Sequence, residues 1–274
     1  MPLKKLPSLN VASLLRAHGL SASKGLGQNF LQDDSVLAQI AGAAEISAAD
    51  DVLEIGPGLG SLTRHLALAA HSVTAIELDE SLIPVLGEVL KPFDNVRVVH
   101  GDILRFAPAD LMPSADYLVV ANIPYYITSA VFRHLLENPP RPRRIVLTIQ
   151  KEVAERICAL PGDMSLLALS VQAYGQPSIA ARIPAEAFHP VPKVDSAVIR
   201  VDLYPEPLLP ADKLDAFFRL ARAGFSQKRK TLRNSLSAGL AIKPAAAGEM
   251  LEKAGIDPMR RAETLSLEEW GRLV

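Results

Sequence analysis

The sequence Asn-Ile-Pro-Tyr-Tyr at residues 122–126 combines an amide side chain, a backbone carbonyl fixed by proline and two aromatic rings. The N6 amine of adenine is a poor nucleophile because its lone pair is delocalised into the ring. Hydrogen bonds from this amine to the Asn122 side-chain oxygen and to a main-chain carbonyl near Pro124 would favour a pyramidal nitrogen. Stacking on Tyr125 would hold an extruded base, at roughly 1–3 kcal/mol per stacked base. A polar loop with aromatic packing would explain the two rings but not the order Asn-x-Pro-Tyr. This order indicates a pocket that prepares an adenine amine as a nucleophile.

A glycine-rich sequence, Glu-Ile-Gly-Pro-Gly-Leu-Gly at residues 54–60, stands where a strand should turn into its helix. Glycine lets the backbone approach a ligand closely at the carboxyl edge of a sheet, where doubly wound folds bind nucleosides. The third glycine of a dinucleotide fingerprint would fall at position 61, which is Ser61. A pyrophosphate therefore fits this loop less well, and a tight turn without a ligand is the alternative.

Two carboxylates follow the next two predicted strands. Glu77, in Glu-Leu-Asp at residues 77–79, can accept hydrogen bonds from both ribose hydroxyls of an adenosine-type cofactor. Asp102, in Gly-Asp-Ile-Leu at residues 101–104, can accept a hydrogen bond from an adenine amine, although a lone Asp is more often a cap or turn residue. The pair indicates a nucleoside cofactor without separating a nicotinamide cofactor from S-adenosylmethionine.

These residues need a sheet to position them, and from Asp51 onward short β-rich runs alternate with longer helical stretches. This alternation is typical of a parallel sheet covered by helices on both faces, so we expect an α/β fold with one doubly wound, seven-stranded sheet. The apolar residues 164–174 are assigned to a helix because of their length. The predicted strands lie at residues 52–55, 72–78, 96–100, 117–121, 144–149, 178–183 and 197–203.

The two ends of the chain are predicted to be helical. Residues 9–19 have the spacing of an amphipathic helix, and after a glycine-punctuated loop a second helix begins near Asp33 or Asp34. Three prolines, Pro205, Pro207 and Pro210, then break the chain before a tail with helical spacing at 214–224. We therefore expect a first domain at 1–204, with an N-terminal helical flap at 1–50, and a small all-helical domain at 205–274.

The net charge of −1, taken alone, argues against a nucleic-acid partner, but the charge is unevenly distributed. Residues 1–32 hold four cations and no acid, and residues 222–233 hold five cations and no acid. Ordinary solvated surfaces are the alternative to nucleic-acid contacts. The cations are Lys4, Lys5, Arg16 and Lys24 at the N-terminus and Arg222, Lys228, Arg229, Lys230 and Arg233 in the tail.

Composition excludes several other classes of protein. Cys158 is the only cysteine, which excludes an internal disulfide and a cysteine-based zinc site, and the six histidines show no metal-ligand spacing. No apolar stretch approaches the roughly 20 residues that span a bilayer, and the first residues lack the apolar run of a signal peptide. These features predict a cytoplasmic protein with no metal and no membrane partner.

With these motifs in this order, the chain resembles the ribosomal RNA adenine N6,N6-dimethyltransferases, and most of all their bacterial small-subunit branch. The resemblance begins at Gly-Gln-Asn-Phe-Leu, residues 27–31, and runs through the motifs above to Gln-Lys-Glu-Val-Ala, residues 150–154. It continues through residues 187–196 and the basic segment 225–236, and so covers nearly the whole chain. One departure is Met164-Ser165, where many members carry Tyr-Gly.

The resemblance implies a Rossmann-like class I methyltransferase fold that uses S-adenosylmethionine, yields S-adenosylhomocysteine and needs no metal. It implies N6,N6-dimethylation of two adjacent adenosines in the 3′-terminal hairpin loop of 16S rRNA, within the small ribosomal subunit or its precursor. It assigns methyl transfer to residues 1–204 and rRNA binding to residues 205–274, in a protein expected to be a monomer.

The resemblance also implies a role for individual residues. Phe188 would lie on the target adenine opposite Tyr125, with Asn122 and Pro124 at its amine. The cofactor-binding residues would be Gln28, Asn29, Leu31, Gly56, Gly58, Glu77, Leu78, Asp102, Ile103 and Asn122. The residues on rRNA phosphates would be Lys228, Arg229, Lys230 and Arg233.

Three other functions remain open at this point. The antibiotic-resistance branch of the same family methylates an adenosine of large-subunit rRNA and shares the pocket. A binding-only ribosome-assembly factor or transcription factor on the same fold would be expected to lose Glu77 or the Asn-x-Pro-Tyr order, and both are present. A nicotinamide-dependent oxidoreductase would share the segment from Gly56 to Glu77 but has no evident hydride-transfer partner here.

Overall fold

A computed structural model describes residues 6–112, 114 and 116–274. Unit 1 contains the chain up to Ala154 together with Ser178–Leu203, and unit 2 contains Glu155–Pro177 together with Tyr204–Val274. The expected division at 204/205 placed residues 155–177 in the first domain, whereas they belong to the second unit. Lys4 and Lys5 of the N-terminal basic patch lie outside the described residues, while Arg16 and Lys24 are exposed.

Seven of the strands follow the segments predicted above, and two short strands, Phe30–Leu31 and Phe188–His189, were not predicted. In chain order, those of the described residues are β1 (Phe30–Leu31), β2 (Asp51–Ile55), β3 (Ser72–Glu77), β4 (Val96–His100), β5 (Tyr117–Asn122), β6 (Arg144–Gln150), β7 (Gly175–Ile183), β8 (Phe188–His189) and β9 (Ser196–Leu203).

The main sheet has the strand order β4-β3-β2-β5-β6-β9-β7. Strand β2 pairs in parallel with β3 and β5, parallel pairing continues outward to β4 and β6, and β9 runs antiparallel to β6. The order reverses beside β2, and ligands of doubly wound folds bind at such a switch point, outside the carboxyl ends of the strands. The expected seven-stranded sheet is confirmed.

Helices cover both faces of this sheet. Successive residues of a strand point to opposite faces, and Val52 and Leu53 are both fully buried. None of the helices in the described ranges is long and apolar enough to cross a bilayer. In chain order, the helices are α1 (Val11–Ala17), α2 (Asp34–Ala44), α3 (Ser61–Ala69), α4 (Ile83–Val89), α5 (Pro108–Leu111), α6 (Thr128–Glu137), α7 (Lys151–Ile157), α8 (Leu166–Gln172), α9 (Ala211–Phe225), α10 (Leu232–Leu240), α11 (Pro244–Lys253) and α12 (Leu267–Gly271).

Helix α2 belongs to the main core rather than to a peripheral flap. The Asp33 side chain caps it by accepting hydrogen bonds from the Ser35 and Val36 amides, and Ile40 in its middle is fully buried. At its other end, the Arg144 and Arg200 guanidinium groups of β6 and β9 donate to the last carbonyls of the helix. The helix is therefore capped at its start and fixed to the sheet at its end.

A second, two-stranded sheet joins two distant segments of unit 1. Strand β1 pairs antiparallel with β8, so that Leu31 lies opposite Phe188, and the Gln32 amide also donates to the Ala187 carbonyl at 3.1 Å. This pairing brings the segment after the glycine-punctuated loop to the residue expected to stack on the target base.

Unit 2 is built around helices α8 to α12. Trp270 of α12 is fully buried and stacks on Phe225 of α9, with ring centroids 5.6 Å apart. The segment that contains α8 joins these helices through backbone hydrogen bonds from Tyr204 to Tyr174 and from Gly162 to Glu263. These bonds explain why residues 155–177 belong to this unit.

Candidate methyl-transfer site

All of the predicted cofactor and target residues line one cavity of about 280 Å³ in unit 1. It lies at the carboxyl ends of β2, β3 and β5, where the glycine-rich loop, Glu77 and Asn122 meet. The residues that were predicted from the sequence and line the cavity are Gln28, Asn29, Leu31, Gly56, Gly58, Glu77, Leu78, Asp102, Ile103, Asn122, Pro124, Tyr125 and Phe188.

The glycine-rich loop forms one wall of the cavity and needs its glycines for conformation. Gly56 and Gly58 have φ angles of 69° and 58°, in the left-handed region that favours glycine. A Cβ atom on Gly58 would also lie 3.0 Å from the Phe30 ring. The loop thus turns tightly and leaves bare backbone facing the cavity.

Glu77 ends β3 and is a buried carboxylate at the cavity wall. One of its oxygens accepts a hydrogen bond from the Gly58 amide at 3.0 Å and the other accepts from the Asp79 amide at 2.9 Å. Burial raises the pKa of Glu77, and these amide donors oppose that shift. The two bonds fix both oxygens of the carboxylate at the carboxyl edge of the sheet.

Glu54 also lines the cavity, and sequence reasoning did not assign it a role. Its side chain is 1% exposed, and Oε2 has no hydrogen-bond partner among the described residues. Burial raises the pKa of Glu54 to about 8, and the nearby Glu77 charge acts in the same direction. The signal available in the sequence was a carboxylate among the apolar residues that follow Asp51 in β2.

Asp102 and its neighbours form the side of the cavity beyond β4. The Asp102 carboxylate accepts a hydrogen bond from the Leu104 amide at 3.0 Å and so caps a short turn of 3₁₀ helix. Ile103 is buried, whereas Leu78, just after β3, is 47% exposed. Asp102 therefore has the cap role that the sequence left as its alternative, while it also lines the cavity.

The loop before β1 connects the β3 side of the cavity with the β5 side. The Gln28 side chain donates to the Asp79 carboxylate at 2.7 Å and accepts from the Ser23 amide at 2.8 Å. On the other side, the Asn29 carbonyl accepts a hydrogen bond from the Asn122 side chain. A Cβ on Gly27 would lie 3.2 Å from the Tyr126 ring, so the loop backbone packs closely against this residue.

Asn122 and Pro124 present acceptor groups at the cavity. The Asn122 Nδ2 atom donates to the Asn29 carbonyl at 3.2 Å, which leaves the oxygen end of the amide for a ligand. The Pro124 carbonyl accepts a hydrogen bond from the Ile127 amide at 3.2 Å, and a carbonyl has a second lone pair.

The two aromatic residues predicted to hold the target adenine line the same cavity. The Tyr125 hydroxyl lies 2.7 Å from the Ser196 hydroxyl, and burial raises the pKa of Tyr125. Phe188 is 1% exposed and is held in β8. Sequence reasoning missed Ser196, because its partner lies 71 positions away in the chain.

Unit 2 carries the basic residues predicted to bind rRNA. Lys228, Arg229 and Lys230 are all exposed in the turn between α9 and α10. Arg233, on α10, is partly buried, and its Nε atom has no hydrogen-bond partner within the described ranges. In the same described ranges, no group of three or more His, Cys, Asp or Glu residues is arranged to hold a metal ion.

The sequence profile of the family described as ribosomal RNA adenine dimethylase matches residues 19–274. The chain belongs to this family. Its membership confirms the resemblance found in the sequence and implies S-adenosylmethionine as the methyl donor.

The sequences of two relatives align with nearly the full length of this chain. A protein named ribosomal RNA small subunit methyltransferase A from Dehalococcoides mccartyi is 46% identical over 270 residues, which cover 97% of this chain and 93% of the relative. A protein of the same name from Lysinibacillus sphaericus is 41% identical, covering 97% of this chain and 94% of the relative.

Two solved structures show the same fold. A dimethyladenosine transferase from Plasmodium falciparum superposes with a TM-score of 0.77 at 27% identity, covering 89% of this chain and 95% of that one. The 23S rRNA methyltransferase ErmE superposes with a TM-score of 0.71 at 33% identity, covering 89% and 98%. The class I methyltransferase fold expected from the sequence is confirmed.

Proposed function

We propose that this protein transfers methyl groups from S-adenosylmethionine to the N6 atoms of two adjacent adenosines in the 3′-terminal hairpin loop of 16S rRNA. Its substrate would be the small ribosomal subunit or its precursor. The observation that carries this proposal is the cavity in which Asn122, Pro124 and Tyr125 stand beside the glycine-rich loop and Glu77. A nicotinamide-dependent enzyme would have no use for the Asn-x-Pro-Tyr order, and a binding-only protein would not need to retain it.

The residues of the cavity fit a nucleoside cofactor. Glu77 would accept hydrogen bonds from the ribose hydroxyls, because its carboxylate lies at the cavity wall with both oxygens already directed by backbone amides. Gly56 and Gly58 leave room for close approach of the cofactor to the backbone, and Asp102 would accept from the adenine amine. When bound, S-adenosylmethionine supplies an electrophilic methyl carbon.

Asn122 and a main-chain carbonyl near Pro124 would act on the target amine. Both are hydrogen-bond acceptors, so they would bind the two N6 hydrogens and direct the nitrogen lone pair toward the methyl donor. The N6 proton becomes strongly acidic only as the new N–C bond forms, so water can remove it afterwards. In-line transfer of this kind needs positioning and polarisation rather than a dedicated base.

Tyr125 and Phe188 would hold the target adenine between them. Both line the cavity, and stacking of this type contributes roughly 1–3 kcal/mol per base. In unit 2, the exposed residues Lys228, Arg229 and Lys230, with Arg233, would bind rRNA phosphates. We expect the active protein to be a monomer, which sedimentation analysis would test.

Methylation of large-subunit rRNA is the second candidate, because the chain is 33% identical to the 23S rRNA methyltransferase ErmE and the similarity covers 89% of the chain. Two observations favour the small subunit: relatives named for it are 40–46% identical, against 33% for ErmE, and their matches cover up to 97% of the chain. Mapping the modified nucleotides by mass spectrometry separates the two candidates.

The decisive experiment is incubation of unmodified small subunits with radiolabelled S-adenosylmethionine, followed by digestion and identification of the labelled nucleoside. We expect N6,N6-dimethyladenosine at two adjacent positions. The Tyr125→Ala variant should lose methyl incorporation, since the base loses its stacking surface, while calorimetry should show cofactor binding largely unchanged. Label on another nucleoside, or no incorporation into small subunits by the wild-type protein, would each refute the proposal.

A further inference from the structure

The hydroxyl of Ser196 is buried at the start of β9, and its hydrogen bond is made to Tyr125. Ser196 is 0% exposed, and its Oγ atom lies 2.7 Å from the Tyr125 hydroxyl. The backbone of Ser196 is fixed in the sheet, because it pairs with Gln150 of β6. Most buried hydroxyl groups are hydrogen-bonded, and this bond fixes the hydroxyl end of the tyrosine to the sheet.

The backbone end of Tyr125 is fixed as well. The Thr128 hydroxyl donates to the Tyr125 carbonyl at 2.9 Å, and the Ile127 amide donates to the Pro124 carbonyl. These bonds define the turn that leads into α6. The Tyr125 ring therefore lies between two fixed points, one at its carbonyl and one at its hydroxyl.

The residue before Ser196 holds the segment that leads to the other ring. The Asp195 carboxylate accepts a hydrogen bond from the Ala185 amide at 3.1 Å. The main-chain carbonyl of Asp195 accepts a hydrogen bond from the Lys151 amide, also at 3.1 Å. Residues 185–187 lead directly into Phe188. Asp195 is exposed, so its bond is weaker than that of the buried Ser196.

We propose that Ser196 is a positioning residue for methyl transfer, whose hydroxyl holds the Tyr125 ring in the orientation that stacks on the target adenine. This inference rests on the proposed function, because it presumes that Tyr125 meets the base. A ring already oriented before the base arrives loses less conformational entropy when the base is bound. Ser196 contributes no group to the reaction itself and acts through the tyrosine.

A double-mutant cycle tests this role. Ser196→Ala and Tyr125→Phe remove the same hydrogen bond from opposite sides, so each should lower kcat for small-subunit methylation about three- to tenfold. Cofactor affinity, measured by calorimetry, should stay within about twofold. Because no bond remains for the second change to remove, the double variant should be at least as active as the less active single variant.

Two control variants each remove a buried hydroxyl group, as Ser196→Ala and Tyr125→Phe do, but at residues that do not line the cavity. Tyr117→Phe removes a buried tyrosine hydroxyl that donates to the Pro140 carbonyl at 2.9 Å, and Thr148→Val removes a buried hydroxyl of β6 that has no partner among the described residues. Neither residue lines the cavity. Tyr117→Phe should lower the Tm and Thr148→Val should leave it nearly unchanged, and both should keep the wild-type kcat.

The outcomes distinguish failure of this inference from failure of the proposed function. Multiplicative losses in the double variant, or wild-type kcat in Ser196→Ala, would overturn the positioning role. An equal loss of cofactor affinity and kcat in Ser196→Ala would show a general structural defect and would also overturn it. Full activity of Tyr125→Ala would instead refute the stacking function on which the inference rests.

Discussion

At the scale of single residues, Glu54 differs from the other carboxylates of the cavity. Both oxygens of Glu77 are hydrogen-bonded to backbone amides, whereas Oε2 of Glu54 has no partner in the described part of the chain. Burial raises the pKa of Glu54 to about 8, so the protonated form predominates at neutral pH.

This shift predicts how stability depends on pH. The folded-state pKa of Glu54 lies above its ordinary value of 4.5, so the folded state holds a proton that the unfolded state releases between about pH 4.5 and 8. The free energy of unfolding should therefore fall as the pH rises through this interval. Glu54→Gln should remove the contribution of Glu54 to this slope and stabilise the cofactor-free protein at pH 8 by roughly 1–4 kcal/mol.

The measurement is the Tm at pH 5 and pH 8, by calorimetry without cofactor. Glu80→Gln, which removes an exposed carboxylate shortly after β3, is the matched control and should follow the wild-type profile. If Glu54→Gln shows the same fall in Tm with rising pH as the wild type, the slope does not come from Glu54.

Three of the predicted residues that line the cavity share one property. Gly56, Glu77 and Asn122 each end or follow a strand, and parallel strands bring their carboxyl ends to one edge, so order along the chain indicates position in space. The hydrogen bond between Ser196 and Tyr125 has no such rule, because it depends on how an antiparallel strand and a turn meet in three dimensions. Their roles in binding stay predictions until the variants are measured.

At the scale of elements, long periodic segments could be predicted and short ones could not. The seven strands of the main sheet could be located to within a few residues, because most of them are rich in apolar and β-branched residues. Strands β1 and β8 have two residues each, too few to show alternation, and their pairing depends on distant segments. The membership of residues 155–177 in unit 2 likewise depends on hydrogen bonds to a part of the chain beyond residue 203.

The crossing of α9 and α10 in unit 2 depends on a glycine. A Cβ on Gly239 would lie 2.6 Å from the Cα and Cβ atoms of Ala223, closer than real atoms approach. Neither neighbouring atom can move without shifting a helix backbone. The absence of a side chain at position 239 therefore allows the two helices to pack.

Gly239→Ala should destabilise the protein although alanine is the better helix former. The gain in helix propensity, about 1 kcal/mol, is smaller than the cost of separating α9 from α10, roughly 1–3 kcal/mol with the strain included. Gly248→Ala in α11 is the matched control, since its Cβ would meet Arg233 at an ordinary 3.7 Å, and it should stabilise slightly. Trp270, the only tryptophan, is buried in unit 2 and reports its unfolding by fluorescence. Equal stabilisation by both changes would contradict the crossing argument.

At the scale of the whole molecule, the small net charge conceals a difference between the two parts of the chain. Residues 205–274 carry 12 Lys and Arg against nine Asp and Glu, so +3, while residues 1–204 carry 17 against 21, so −4. Proteins bind RNA phosphates through local cationic surfaces rather than through net charge. The turn that exposes Lys228, Arg229 and Lys230 is the described surface that best meets this requirement.

This charge distribution predicts the salt dependence of rRNA binding. Each phosphate that a cation neutralises releases counterions, so the slope of log K against log[salt] should become shallower by roughly 0.7–0.9 for each phosphate left unbound. Lys230→Ala should therefore make the slope shallower by about the amount expected for one phosphate, and it should weaken binding to small subunits. Lys230→Arg should keep the wild-type slope, because the charge remains.

Filter binding measures the affinity of each variant for small subunits between 50 and 200 mM salt, roughly the range over which such slopes are resolved. Lys91→Ala is the matched control, since it removes an exposed cation of unit 1 after α4 and should also keep the wild-type slope. Equal slopes for Lys230→Ala and wild type would place the bound phosphates elsewhere, because a residue that binds a phosphate cannot be removed without changing the number of released ions.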